Sequence, residues 1–202
     1  AMYGAGRRTI SEMLMRTRTH VLNMRDEMNP GFGGIHPEPI AKHLGLLASA
    51  MGAGNWQAGL ATDGDADRIG AVDARGQFVD PHRIFGLILR HLLHHRGLRG
   101  PVVRTVSTTR MIDRIAAECG LPVIETPVGF NHIADLMLEQ DVVMGGEESG
   151  GMSIHGHIPE GDGVLMGLLL LEVMAEAHKP LHILVDELLT TYGPAQYART
   201  DM

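Results

Sequence analysis

Residues 63–68 read Asp-Gly-Asp-Ala-Asp-Arg, three carboxylates alternating with two small residues and closed by an arginine. Like charges this close repel, so something must hold the three aspartates together or let them point apart. In an extended segment every second side chain projects to the same side, so Asp63, Asp65 and Asp67 can converge on one ion. Oxygen donors suit a hard divalent cation, and magnesium takes a few carboxylates together with phosphate oxygens of a substrate. Arg68 stands where it can pair with the carboxylates or hold a phosphate through two parallel hydrogen bonds. An EF-hand is excluded, because its sixth loop position would be Arg68 rather than glycine and its twelfth Ala74 rather than glutamate. The DxDx[TV] nucleophile pattern fails as well, since Asp67 stands where Thr or Val is needed. A solvated acidic turn is the plain alternative. Against it stand the tight apolar flanks, AGLAT before and IGAVD after, and the room that Gly64 and Ala66 leave for an ion.

A second group lies at 145–151, GGEESGG. Glycines let the backbone come close to a ligand, and a carboxylate beside a hydroxyl matches the vicinal hydroxyls of a sugar. Taken alone, Glu147, Glu148 and Ser149 fit an exposed glycine-rich turn equally well.

The elements that must position these groups follow from periodicity and breakers. Helical spacing of Ile10, Met13 and Leu14 predicts a helix from Thr9 to about Thr19, and HVLNM (20–24) reads as a short strand. Residues 26–39 are rich in Gly and Pro and form a loop. Pro39 then opens a helix running to about Met51, with Ile40, Leu44 and Leu47 inward. AGLAT and IGAVD are strands on either side of the acidic loop, DARGQ is a turn before FVD, and a helix follows at about 82–96. In the second half PVVRTV is a strand, and Ser107 is expected to cap a helix from Thr108 to about Cys119. LPVIET, a helix over NHIADLMLEQ, the strand DVVMGG and helices at about 162–177 and 181–191 complete the chain. Strand–helix alternation implies an α/β fold, two small α/β domains with mixed or parallel sheets flanked by helices. The loops TPVGF and GGEESGG fall at strand carboxyl ends, where such folds bind ligands. The stretch RGLRG, at 96–100, marks the expected boundary, giving domains at 1–99 and 100–202.

Composition narrows the function classes. A net charge of −7 argues against a nucleic-acid surface, and 44% hydrophobic residues support a buried core. The longest apolar run, VLMGLLLLEVM, is too short to span a bilayer. Cys119 is the sole cysteine, so no intrachain disulfide forms and a cytoplasmic setting is expected.

DGDADR, TPVGF and GGEESGG, in this order and spacing, resemble the α-D-phosphohexomutase family, which includes phosphoglucomutases and phosphomannomutases. YGAGR at the start, PVVRTVSTTR in the middle and YGP near the end extend the likeness over nearly the whole chain. The resemblance implies most of a second domain, with its first strand missing, and a complete third of a four-domain protein, ending at the approach to the fourth. It further implies an intramolecular phosphotransferase that interconverts glucose or mannose 1- and 6-phosphates through a phosphoserine and a bisphosphate. Mg2+ would be held by Asp63, Asp65 and Asp67, Arg68 would contact the phosphoserine, Glu147 and Ser149 would grip sugar hydroxyls, and Gly129 would sit in the loop that orients the substrate. Neither a TASHNP-type serine loop nor an SGTEP-type phosphate loop occurs in these residues, so the piece alone is expected to be inactive. Asn131 stands where many members have lysine, which removes a charge from that loop. Other readings are a non-catalytic sugar-phosphate or metal-binding module and a phosphomonoesterase. The truncated second domain is expected to self-associate or to leave residues 1–25 poorly ordered.

The weaker signals have structural readings. His91, His94 and His95 read as a polar helix face, His155 and His157 as loop residues facing solvent, and Cys119 as a packing residue. Met13, Met111, Met137 and Met166 read as helix-core positions.

Overall fold

The computed structural model describes residues 1–194. The expected approach to a fourth domain lies beyond them. A short helix α1 (Thr9–Leu14) and a helix α2 (Gly45–Ala53) precede a three-stranded antiparallel meander. Its strands are β1 (Ala58–Thr62), β2 (Ile69–Asp73) and β3 (Phe78–Val79), with Thr62 opposite Ile69. That register makes residues 63–68 the loop of a hairpin. The second turn is built by Asp73, whose Oδ1 accepts from the N–H groups of Arg75 (2.8 Å) and Gln77 (2.9 Å).

All five residues of β2 are buried. Ile69 and Ala71 face the main core, whereas Val72 faces a smaller cluster with Met2, Leu44, Met51 and Ala61. The strand therefore needs no polar face, which is why it reads as a continuous apolar run. Helix α3 (Pro81–His94) follows, started by Pro81 and capped by Asp80, whose Oδ1 accepts from the Arg83 N–H at 3.0 Å.

The second sheet has strands β4 (Val102–Thr105), β5 (Val123–Thr126), β6 (Met144–Gly146) and β7 (Met152–Ile154) in the order β5-β4-β6-β7. The first three are parallel and β7 is antiparallel to β6. Helices α4 (Met111–Glu118) and α5 (Phe130–Glu139) are the crossovers, and α6 (Gly163–Ala177) and α7 (Leu181–Tyr192) close the fold. Helix α3 packs against β2, α4, α6 and α7, so one core joins both sheets. Its fully buried Phe85, Ile88, Leu92, Ile112 and Ile115 each contribute about 1.5–3 kcal/mol by leaving water. The fold is the mixed α/β arrangement expected.

Several local expectations are corrected. HVLNM joins no sheet: Val21 and Leu22 stay 39% and 58% exposed, and its apolar side chains signal a strand without an adjacent ladder to complete it. Helix α1 stops at Leu14, well before Thr19, and leaves Met13 59% exposed rather than in the core. Pro39 precedes a single 3₁₀ turn, Ala41–His43, instead of opening α2. Met111 and Met166 are fully buried, and Met137 packs on a third cluster with Val103, Ile133 and Val142. Cys119 packs against the main core. His91 is only 4% exposed and is no part of a polar face, because Glu172 of α6 reaches its Nε2 at 2.8 Å. His155 is exposed as expected, while His157 lies 3.0 Å from Asp162, the residue that caps α6.

Candidate functional site

The hairpin loop turns sharply at Ala66, whose φ of 70° is uncommon for a residue with a side chain. This kink brings one carboxylate oxygen each of Asp63, Asp65 and Asp67 within 4.8 Å of one another. Asp63 is fully buried, Asp65 is exposed and Asp67 lies between. Arg68 Nε donates to Asp63 Oδ2 at 2.5 Å and its backbone N–H to Oδ1 at 3.2 Å. The guanidinium also lies 3.6 Å from Asp67 Oδ1 and 3.6 Å from Glu38 Oε1. Thus Arg68 answers part of the repulsion, mainly at Asp63. Asp67 Oδ1 is buried without a hydrogen-bond partner.

Titration follows from this division. Burial pushes the Asp67 carboxyl up, the neighbouring Asp63 and Asp65 push it further, and Arg68 only partly opposes them, leaving it at about 7. Burial acts in the same upward sense on Asp63, but its contacts with Asp67 and Arg68 outweigh burial and hold it below the usual carboxylate range. Fully ionised, the loop sets three carboxylates against a single guanidinium, so negative charge is left uncompensated. An all-oxygen donor set with a buried oxygen that makes no hydrogen bond fits a hard divalent cation such as magnesium.

Backbone contacts fix this loop against three other segments. Ala5 N–H donates to Gly64 O at 2.8 Å, Gly163 N–H to Ala66 O at 2.9 Å, and Ile69 N–H to Gly150 O at 3.2 Å. Two glycines are required. A Cβ on Gly163 would stand 2.3 Å from Arg68 O, and one on Gly150, at a φ of +104°, would stand 2.7 Å from Ile69 O. An isolated bridge between Arg68 and Gly151 completes the junction. The carboxylate loop and the GGEESGG loop are therefore adjacent.

Within that second loop Glu147 Oε1 accepts from the Gly129 N–H at 2.9 Å, and Ser149 Oγ donates to Oε2 at 3.4 Å. Gly129 has φ 128°, ahead of the first residue of α5, and so aims its N–H at the carboxylate. Burial raises the Glu147 carboxyl, with Glu148 adding to it against the Gly129 N–H, Ser149 and Arg68. Asn131 is exposed, with its Oδ1 folded towards Gly129.

Glu148 turns the other way. Its Oε2 accepts from Thr105 Oγ1 at 3.1 Å and Ser107 Oγ at 2.5 Å, at the carboxyl end of β4. This corrects Ser107 as a helix cap: α4 begins only at Met111, and the hydroxyl anchors Glu148 instead. Behind it, His82 is buried and its ring pKa is lowered chiefly by that burial, so a neutral Nδ1 accepts from the Thr109 N–H at 3.3 Å.

The structure thus gathers Asp63, Asp65, Asp67 and Arg68 at one junction with Gly129, Glu147 and Ser149. Sequence reading missed Glu38 and the Thr105–Ser107–Glu148 anchor. The HPEP loop carried only its glycine and proline signal, and a contact 30 positions away leaves no local pattern.

Two family models match the chain: phosphoglucomutase/phosphomannomutase alpha/beta/alpha domain II over residues 1–76, and domain III over residues 80–192. A phosphoglucomutase/phosphomannomutase of Thermococcus kodakarensis is 31% identical over 94% of the chain and 41% of its own length. A phosphoglucosamine mutase of Desulforudis audaxviator is 33% identical over 88% of the chain and 39% of its own length. The chain therefore spans about two fifths of the length of these curated relatives. Among solved structures, a candidate phosphomannomutase from Thermus thermophilus superposes with a TM-score of 0.90 at 37% identity, covering 95% of this chain and 44% of that one. With both domain models matched in sequence order and the same arrangement found in a solved relative, the chain belongs to the phosphoglucomutase/phosphomannomutase family.

Proposed function

We propose that this chain supplies the cation loop and the sugar loop of a phosphohexomutase, an intramolecular phosphotransferase interconverting hexose 1- and 6-phosphates through a phosphoserine and a bisphosphate. The phosphoserine comes from a segment outside these 202 residues, and the 202 residues alone are inactive. Asp63, Asp65 and Asp67 hold Mg2+; when bound, the ion offsets negative charge on the phosphoryl group. Arg68, 28% exposed at its side chain, keeps Asp63 ionised and offers its remaining N–H groups to a phosphate. Glu147 and Ser149 accept and donate hydrogen bonds to sugar hydroxyls, and the Gly129 N–H fixes the Glu147 carboxylate for that task. Asn131 contributes a neutral hydrogen-bonding group in place of a charged one.

The observation that carries this reading is a carboxylate trio with a buried oxygen that makes no hydrogen bond, joined backbone to backbone with the Glu147 loop. Glucose and mannose phosphates are the proposed substrates, and the phosphoglucosamine mutases among the relatives add glucosamine phosphate. A cytoplasmic setting agrees with the single cysteine, and among the described residues no helix is long and apolar enough to cross a membrane. The outer edge of β1 borders an apolar groove lined by Leu14, Leu22, Leu47, Leu60 and Leu171, which supports self-association through this half.

The test is a mutase assay on the complete polypeptide containing this segment, with each of the three hexose 1-phosphates, beside the same assay on the 202 residues. Mg2+-dependent isomerisation by the former alone supports the proposal. Hydrolysis of glucose 1-phosphate by the short chain, lost in Asp65→Asn, would favour a phosphomonoesterase; binding without turnover by the complete polypeptide would favour a sugar-phosphate module.

A further inference from the structure

We infer that His36, Glu38 and His43 form a second metal site, one selective for a nitrogen-seeking transition ion of the zinc class. One ligand atom from each of the three lies within 4.8 Å of the others. The donor set, two imidazoles and a carboxylate, differs in kind from the all-oxygen trio. It matches three-ligand zinc sites that leave a fourth position to water.

The local backbone builds the site. Glu38 stands between Pro37 and Pro39, whose rings fix φ on both sides. The Glu38 N–H donates to His36 O at 2.8 Å in a tight three-residue turn that holds the two residues together. The 3₁₀ turn Ala41–His43 then returns His43 beside them, with its ring stacked 6.0 Å from that of His36 at 27°. His43 Nδ1 lies 3.1 Å from Glu38 O. A carbonyl can only accept, so Nδ1 carries the proton and Nε2 keeps its lone pair; this is the arrangement that readies a histidine to bind a metal.

Glu38 divides its carboxylate. Oε1 faces Arg68 at 3.6 Å, whereas Oε2 faces His36 Nδ1 at 3.9 Å. The Glu38 side chain is only 12% exposed and that of His36 is 71% exposed, giving one anchored ligand and one at an open mouth. An ion on Oε2 thereby shares with Arg68 a carboxylate at the edge of the first site, while using none of the trio.

Calorimetric titration of the 202-residue chain with Zn2+ in excess Mg2+ tests this, with Co2+ visible absorption reporting nitrogen ligation. One binding phase is expected to weaken about tenfold or more in His36→Ala and Glu38→Gln. That phase is expected to survive in Asp65→Asn and His94→Ala. His36 is exposed, so its replacement leaves the fold intact, which circular dichroism verifies. Absence of a Zn2+ phase, a phase untouched by His36→Ala, or one lost in Asp65→Asn would overturn the inference. Because the Asp65 variant separates the two sites, failure here is distinguishable from failure of the trio to bind Mg2+.

Discussion

Arg68 grips the buried Asp63 twice, its Nε 2.5 Å from Oδ2 and its backbone N–H 3.2 Å from Oδ1. The arginine at the end of the acidic run is thus first a partner for one aspartate. Replacing Arg68 with Met strands a buried carboxylate and is expected to cost about 3 kcal/mol in urea denaturation. Arg68→Lys should cost less, since it keeps the charge but not the forked geometry.

Asp67 sets a pH dependence. Its carboxyl titrates at about 7 in the fold, against an ordinary value of 3.8 when unfolded. The folded state therefore binds the extra proton, and without a divalent ion this group's contribution to stability declines as pH rises from about 4 through about 7. A cation bound by the trio would take the place of that proton. Thermal denaturation should show Mg2+ stabilising the chain more at pH 8 than at about pH 5.5. Calorimetric heats of Mg2+ binding at about pH 6 should vary with buffer ionisation enthalpy because protons are released. An equal Mg2+ effect at both pH values would contradict this.

Gly150 holds the two loops together through its closeness to Ile69. Gly150→Ala combines a positive φ of +104° with a Cβ only 2.7 Å from Ile69 O, and is expected to destabilise by about 2 kcal/mol. Gly52→Ala, within α2 and with nothing within 4 Å of the added carbon, should instead stabilise by about 0.5–1 kcal/mol. Comparing the two urea midpoints separates a packing requirement from a general effect of glycine.

Arg104 on β4 is buried and ion-paired to Asp113 at 2.7 Å and Glu125 at 2.8 Å. Burial would raise the Asp113 carboxyl, but Arg104 outweighs it and holds it below its ordinary value. Both acids are partly exposed and can rehydrate, so Arg104→Met should cost only about 2 kcal/mol in urea denaturation. The part due to Asp113 is present above its unfolded pKa and disappears as pH falls through the lowered folded value.

The acidic loop was legible because a local pattern encodes it: two apolar strands around six residues imply a connecting loop, although the carboxylates meet through a kink at Ala66 rather than through the alternation of an extended segment. The GGEESGG loop was legible for the same local reason, as a glycine turn at a strand end. Features that depend on distant partners were not. Ser107 has every local attribute of a helix cap, yet Glu148, 41 positions away, takes its hydroxyl. His91 sits at a polar-looking position, yet Glu172 lets it be buried. HVLNM has strand composition, but a strand also needs a neighbour, which composition cannot supply. Glu38 reached Arg68 through a loop whose sequence announced only a turn.

The trio's role is tested most directly by turnover of the complete polypeptide bearing Asp65→Asn, measured against hexose 1-phosphate over a range of Mg2+ concentrations. Loss of one cation ligand at the phosphoryl site is expected to lower kcat at least about a hundredfold, with partial recovery at high Mg2+. A kcat equal to that of the unaltered enzyme at every Mg2+ concentration would contradict the account.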